Sequence, residues 1–140
     1  MTKETKTQTY TNKELGDLLG GLSAVKDLKG VKFALAVAKN LRVLQEELKD
    51  IEDAARPTQE FLALAQQIRA LEEIGDKQAE IEELEGKNET LIEERKKQIE
   101  EFNTIMEETS EVSLHYLSEA DLPYDITGSQ LHAISLIIKD

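Results

Sequence analysis

Histidines, carboxylates and serines are the side chains through which this chain could do chemistry, because it contains no cysteine. Disulfides, thiolate metal sites and Cys nucleophiles are thereby excluded. His115 and His132 are the only histidines. Neither stands beside the further ligands that a zinc site or facial triad requires, so structural or surface roles are expected for both and no metal or other cofactor is expected. Carboxylates come in pairs, at Glu82/Glu83, Glu93/Glu94, Glu100/Glu101 and Glu107/Glu108. Catalytic carboxylates need burial and displaced pKa values, whereas these fall opposite an apolar stripe, and 29 acidic residues among 140 make pairs by chance. No Asp-x-Asp-x-Asp-Gly loop offers a calcium site. Gly20-Gly21 lacks the Gly-Lys-Ser/Thr of a phosphate cradle, and no serine lies in a Gly-x-Ser-x-Gly elbow. The expectation is a protein that is not an enzyme.

Charge separates the two ends of the sequence. Met1 to Arg42 holds eight Lys/Arg against four Asp/Glu, net +4, while Val43 to Asp140 holds nine against twenty-five, net −16. A surface this acidic repels phosphate backbones, so direct nucleic-acid binding is disfavoured. Basic partners and imitation of DNA stay open. The longest apolar run, Phe33 to Ala38, falls far short of the roughly 18 residues that a bilayer span needs, and Met1 leads into polar sequence without an apolar leader. No membrane association is expected.

The elements that must position these residues are mostly helices, as a composition with 4% aromatics and two prolines suggests. Residues 1–10 read as a flexible arm or a short strand formed only when paired. Thr11 with Glu14 fits a capping box opening a short helix over 11–28, with Leu15, Leu18, Leu19 and Leu22 on one face. From Val31 a heptad seam runs through Ala34, Leu41, Leu48, Ala55 and Leu62, with Leu44, Ile51 and Ala65 at the intervening offset. The apolar part of 33–38 wraps nearly all round the helix, which favours burial beneath Leu15 to Leu22 over an interfacial role for the surrounding Lys26, Lys29, Lys32, Lys39 and Arg42. Pro57 must kink or restart the helix. A kink is preferred, since Leu62 and Ala65 keep the register. Gly75-Asp76 or Gly86-Lys87-Asn88 forms the reversal, and Glu89 to Glu108 is a second long helix carrying the seam residues Leu91, Gln98 and Ile105. Val112, Leu114 and Tyr116 alternate as an extended segment. Thr127 with Gln130 repeats the capping box before a last short helix bearing Leu131, Ile134, Leu136, Ile137 and Ile138.

The expected fold class is therefore mainly α: a long antiparallel, coiled-coil-like helical hairpin over 31–110 with its kink at Pro57, a short N-terminal helix, and a C-terminal extended segment plus short helix over 111–140, all in a single domain. The order of Leu28-Lys29-Gly30-Val31-Lys32-Phe33, Ala38-Lys39-Asn40, Glu46-Glu47-Leu48-Lys49-Asp50-Ile51-Glu52, Val112-Ser113-Leu114-His115, Leu122-Pro123, Ile126-Thr127 and Leu131-His132-Ala133-Ile134 resembles a family of small uncharacterised helical proteins of tailed bacteriophages and prophages. That resemblance implies a helical hairpin followed by a strand and a short helix, and a place in host cytoplasm or virion. It carries over no functional residue. The segment from Gly75 to Asn88 departs from it by being Glu-rich.

Two functional classes follow. The first is a virion accessory or assembly factor acting by contact with a phage structural protein or a host protein, through Leu131, Ile134, Ile137 and Ile138, with room for self-association. The second is an inhibitor of a host defence or nucleic-acid-binding enzyme, in which Glu93, Glu94, Glu100 and Glu101 imitate DNA phosphates.

Overall fold

The computed structural model describes the backbone of residues 5–139 and the side chains of 7–139; residues 1–4 of the N-terminal arm lie outside them. The fold is mainly helical, with helical-hairpin packing and a small two-stranded sheet. In chain order the elements are β1 (Thr5–Thr11), α1 (Asn12–Val25), α2 (Val31–Ala55), α3 (Gln59–Ile74), α4 (Gln78–Lys87), α5 (Glu89–Glu107), β2 (Thr109–His115) and α6 (Gly128–Ala133), with 3-10 turns at Glu119–Asp121 and Ser135–Ile137. The chain divides into two compact units, one of Met1–Ile51 with Ile105–Asp140, the other Glu52–Thr104.

The first unit holds the larger core. β1 pairs antiparallel with β2, one residue opposite one residue, from Thr5 against His115 to Thr11 against Thr109. Alternation along β2 turns Val112 and Leu114 inward, where Tyr10 of β1 joins them. The chain then enters α1 through the capping box: Thr11 Oγ1 accepts from the Glu14 N–H at 3.1 Å and Glu14 Oε1 accepts from the Thr11 N–H at 2.9 Å. Leu15, Leu18 and Leu22 are buried as their spacing predicts, with Val25 beyond them. α2 contributes Phe33, Ala36, Val37, Leu44 and Leu48 at offsets of three, four and seven, and α6 with its following turn contributes Ile134 and Ile137. Gly21 permits the closest approach: a Cβ there would stand 2.9 Å from Ala133, so α6 lies against the α1 backbone. Two buried asparagines tie the sheet to the helices. Asn12 donates to the Ile105 carbonyl and accepts from Ser110, at 2.8 and 2.6 Å. Asn40 donates to the His115 carbonyl and accepts from the His115 N–H, at 2.8 and 2.7 Å. The C-terminus closes the unit through a parallel bridge between Leu117 and Ile138.

In the second unit the chain does not kink at Pro57. α2 stops at Ala55 and α3 starts afresh at Gln59. Proline lacks the N–H that a helix would aim at the Asp53 carbonyl, its ring crowds that carbonyl, and it biases Arg56 away from helical angles. Thr58, extended at φ −69° and ψ 159°, then caps the new helix by accepting from the Phe61 N–H at 3.1 Å. Restarting resets the helical phase, so Leu62 leaves the expected seam, which passes through Phe61, Leu64, Ala65, Ile68 and Leu71. Leu64 is buried, and Leu62 faces solvent. The carbonyls released by the break are taken up from α5. Arg95 Nη1 donates to Ala55 O at 2.7 Å, and Gln98 Nε2 donates to Ala54 O and Arg56 O at 2.7 and 2.9 Å. The reversal is at Gly75, where positive φ at Gly75 (84°) and Asp76 (56°) ends α3 and turns the chain into α4, which packs against it. Asn88 interrupts α4 and α5 by a single residue, its side chain donating to Leu84 O at 2.8 Å.

Candidate interaction surfaces

The groups that could have done chemistry are not brought together. Among the described residues no group of three His, Cys, Asp or Glu side chains converges at metal-binding distance. His132 is exposed on α6, and His115 is held through its backbone by Asn40 at the end of β2. The carboxylate pairs at 82/83, 93/94, 100/101 and 107/108 all face solvent. Of Gly20-Gly21, Gly21 packs against Ala133, and a Cβ at Gly20 would meet nothing within 4 Å. The Tyr10 phenol is raised above its ordinary value by burial and by its hydrogen bond to Tyr116. Its hydroxyl donates to Gln8 Oε1 at 2.8 Å and stands 3.4 Å from the Tyr116 hydroxyl, so it stays protonated and braces the sheet.

The C-terminal apolar residues correct the sequence-based expectation most directly. Ile134 and Ile137 are fully buried in the first unit, and Leu131 and Ile138 are half-buried. Ile138 lies beside the core and pairs with Leu117. Ile134 and Ile137 complete the unit's own interior and offer no open face to a partner, while Leu131 and Ile138 are each partly exposed. Sequence periodicity identifies an apolar stripe but not what covers it, and here α1 supplies the cover, admitted by Gly21. The acidic candidates Glu93, Glu94, Glu100 and Glu101 are exposed on α5. Lys96 and Lys97 project among them at helical offsets of three and four, and Lys96 lies 3.9 Å from Glu93. The result is a surface of mixed sign.

The surface that the C-terminal reading overlooks is on α2. The run 33–38 divides between two sides of that helix: Phe33, Ala36 and Val37 enter the core, while Val31, Ala34, Leu35 and Ala38 face solvent. Val31 is 87% exposed and Leu35 47%. They recur at offsets of three, four and seven, and so form one stripe. Burial of the whole run beneath α1 is thus only half realised. Lys29, Lys32 and Arg42 are exposed around the stripe. The nearest carboxylate to the Lys32 ammonium is that of Asp121, at a loose 4.0 Å. No acidic residue occupies the first turn of α2, so Lys29 and Lys32 stand where the helix dipole is already positive, an unfavourable placement by itself. The sequence signal was present in the all-round apolarity of 33–38, which one neighbouring helix cannot cover.

Apolar side chains bordered by cations can seat an amphipathic, acidic protein segment. No family model, curated protein or solved structure matches this chain.

Proposed function

We propose that the chain is a non-enzymatic, protein-binding module that serves a tailed bacteriophage as a virion accessory or assembly factor. The observation that carries the binding part of this reading is the exposed stripe of Val31, Ala34, Leu35 and Ala38 with Lys29, Lys32 and Arg42 around it. Exposed apolar side chains aligned on one helix face mark contact sites. The cations select a partner whose docking helix or strand carries carboxylates beside its apolar residues. The phage assignment rests on the resemblance of the segments around Leu28 to Glu52 and Val112 to Ile134 to phage and prophage proteins.

The alternative, an inhibitor that imitates DNA, draws on the solvent-facing carboxylates of α5. Lys96 and Lys97 weaken it, because a phosphate track contains no cations.

Affinity capture from phage-infected lysate separates the two. Wild-type chain, a Val31→Asp/Leu35→Asp variant and a Glu93→Lys/Glu94→Lys/Glu100→Lys/Glu101→Lys variant are compared at low and high salt. The proposal expects a phage structural protein or a host protein to be lost from the α2 variant and retained by the α5 variant. Loss only with the α5 variant, at low salt, with a nucleic-acid enzyme as the captured species, would replace it by the inhibitor reading.

A further inference from the structure

The β2 edge of the sheet is capped at His115, and the β1 edge is open along its described length. On β2, the outward backbone groups of His115 are both taken by the Asn40 side chain, which stands in for a neighbouring strand. This fixes the phase of the whole ladder. Residues opposite His115 and at every second place from it turn their N–H and C=O away from the partner strand, so on β1 the outward groups belong to Thr5, Thr7, Thr9 and Thr11. The ends of the ladder agree. The Thr11 N–H points out to Glu14, and the Asn12 N–H continues the inward series by donating to Glu108 O at 2.8 Å. Thr7 and Thr9 are exposed, and among the described residues no hydrogen bond reaches their outward backbone groups. The usual protections of an edge strand are missing: β1 contains no proline, its pairing has no bulge, and Lys6 is its only charged residue.

We infer that this edge is completed by β1 of a second copy of the chain, running antiparallel, to form a four-stranded sheet across a two-fold axis. The occupant is argued from self-complementarity. With the axis at Thr7, Thr7 faces its own copy, Thr5 faces Thr9 and Lys6 faces Gln8, so the outward groups of Thr5, Thr7 and Thr9 all find partners and no like charges oppose. Charge singles out the same place. Two copies at net −12 each repel, and β1 is a seven-residue surface bearing one charge, of the opposite sign to the whole. A two-stranded sheet is marginal by itself and gains from added strands. This interface is separate from the α2 stripe, and either can fail without the other.

The test is sedimentation of the purified chain from low to high micromolar concentration, together with hydrogen exchange at the Thr7 and Thr9 amides. Thr7→Pro and Thr9→Pro are the variants, because each removes an outward N–H and leaves every backbone β1–β2 bond in place; Thr7→Pro also removes the hydroxyl that bonds the Ser113 side chain, which Thr9→Pro does not. The wild type is expected to shift from one to two chain masses with concentration, with exchange at the two amides slowing as it does so. Each proline variant is expected to stay at one chain mass with wild-type circular dichroism. A wild type that remains monomeric throughout would overturn the inference. So would a dimer in which the Thr7 and Thr9 amides exchange as fast as in the monomer, a readout that needs no variant to fold.

Discussion

Arg95 binds together the ends of the helix that Pro57 breaks, and replacing it by methionine measures how much that binding matters. The guanidinium donates to Ala55 O at 2.7 Å and to Gln98 Oε1 at 2.8 Å, and its carbon lies 5.9 Å from the centre of the Phe61 ring. A hydrogen bond from a charged donor is worth about 1.5–3 kcal/mol, and a partly exposed cation–π contact adds about 0.5–1 kcal/mol. Methionine retains the apolar stem, so packing changes little. The expected loss is about 2–3 kcal/mol, at the lower end because the site is only half-buried. Among the described residues of Glu52–Thr104 only Leu64 and Ile81 are buried apolar side chains, so a loss of this size should open that unit before the other. In urea, with a slope of about 1–2 kcal/mol per M, the midpoint of the transition reporting α3 and α4 should fall by about 1–3 M. Hydrogen exchange should accelerate in α3 and α4 and stay unchanged in α1 and β2. A midpoint shift below about 0.3 M, equivalent to under about 0.5 kcal/mol on the same slope, would refute the reasoning and show that the freed carbonyls are equally well served by water.

Further outcomes follow from the same geometry. Gly21→Ala should destabilise by about 1–3 kcal/mol, since the new methyl meets Ala133 at 2.9 Å. Gly20→Ala, with nothing within 4 Å, should instead stabilise by about 0.5–1 kcal/mol, and thermal melts of the pair read the opposite signs. Ile134→Asp or Ile137→Asp should unfold the first unit, by about 4 kcal/mol or more, because each would bury a carboxylate where the side chain is fully enclosed; a folded variant by circular dichroism would contradict this. The Tyr10 phenol titrates higher in the folded chain than in the unfolded one. Its contribution to stability is therefore complete below about pH 10, the value for a free tyrosine, and declines above it as the unfolded chain releases the proton first. Tyr10→Phe should lessen the fall in melting temperature between pH 9 and 11.

Local chemistry was well legible in the sequence. Both capping boxes, at Thr11/Glu14 and Thr127/Gln130, form as their residue types require. The helix expected over Glu89 to Glu108 is found at Glu89–Glu107, and of the two candidate reversals it is Gly75-Asp76 that takes positive φ. What could not be read is what each apolar stripe meets. Pro57 was expected to kink α2 on the strength of Leu62 and Ala65, but a register that survives on paper does not supply the missing N–H, and Thr58 gives the chain an inexpensive new start. Ile134 and Ile137 looked unpartnered because α1 and α6 are remote in sequence and Gly21 gives no periodic signal of the contact it admits. Asn40 sits between Lys39 and Leu41 with nothing local to show that it caps a strand at His115, 75 residues away. Arg95 and Gln98 stood on the seam of α5 as polar interruptions, and their purpose is visible only beside the carbonyls that Pro57 releases.

Whether the exposed face of α2 is where this chain meets its partner is decided by site-specific photo-crosslinking. A photoreactive residue is placed at Leu35, and in separate chains at Glu94 and at the buried Ile137. Leu35 is expected to yield a discrete crosslinked partner in phage-infected lysate, Lys29→Glu with Lys32→Glu to diminish it, and Glu94 to yield none. A partner captured from Glu94 and not from Leu35 would contradict this.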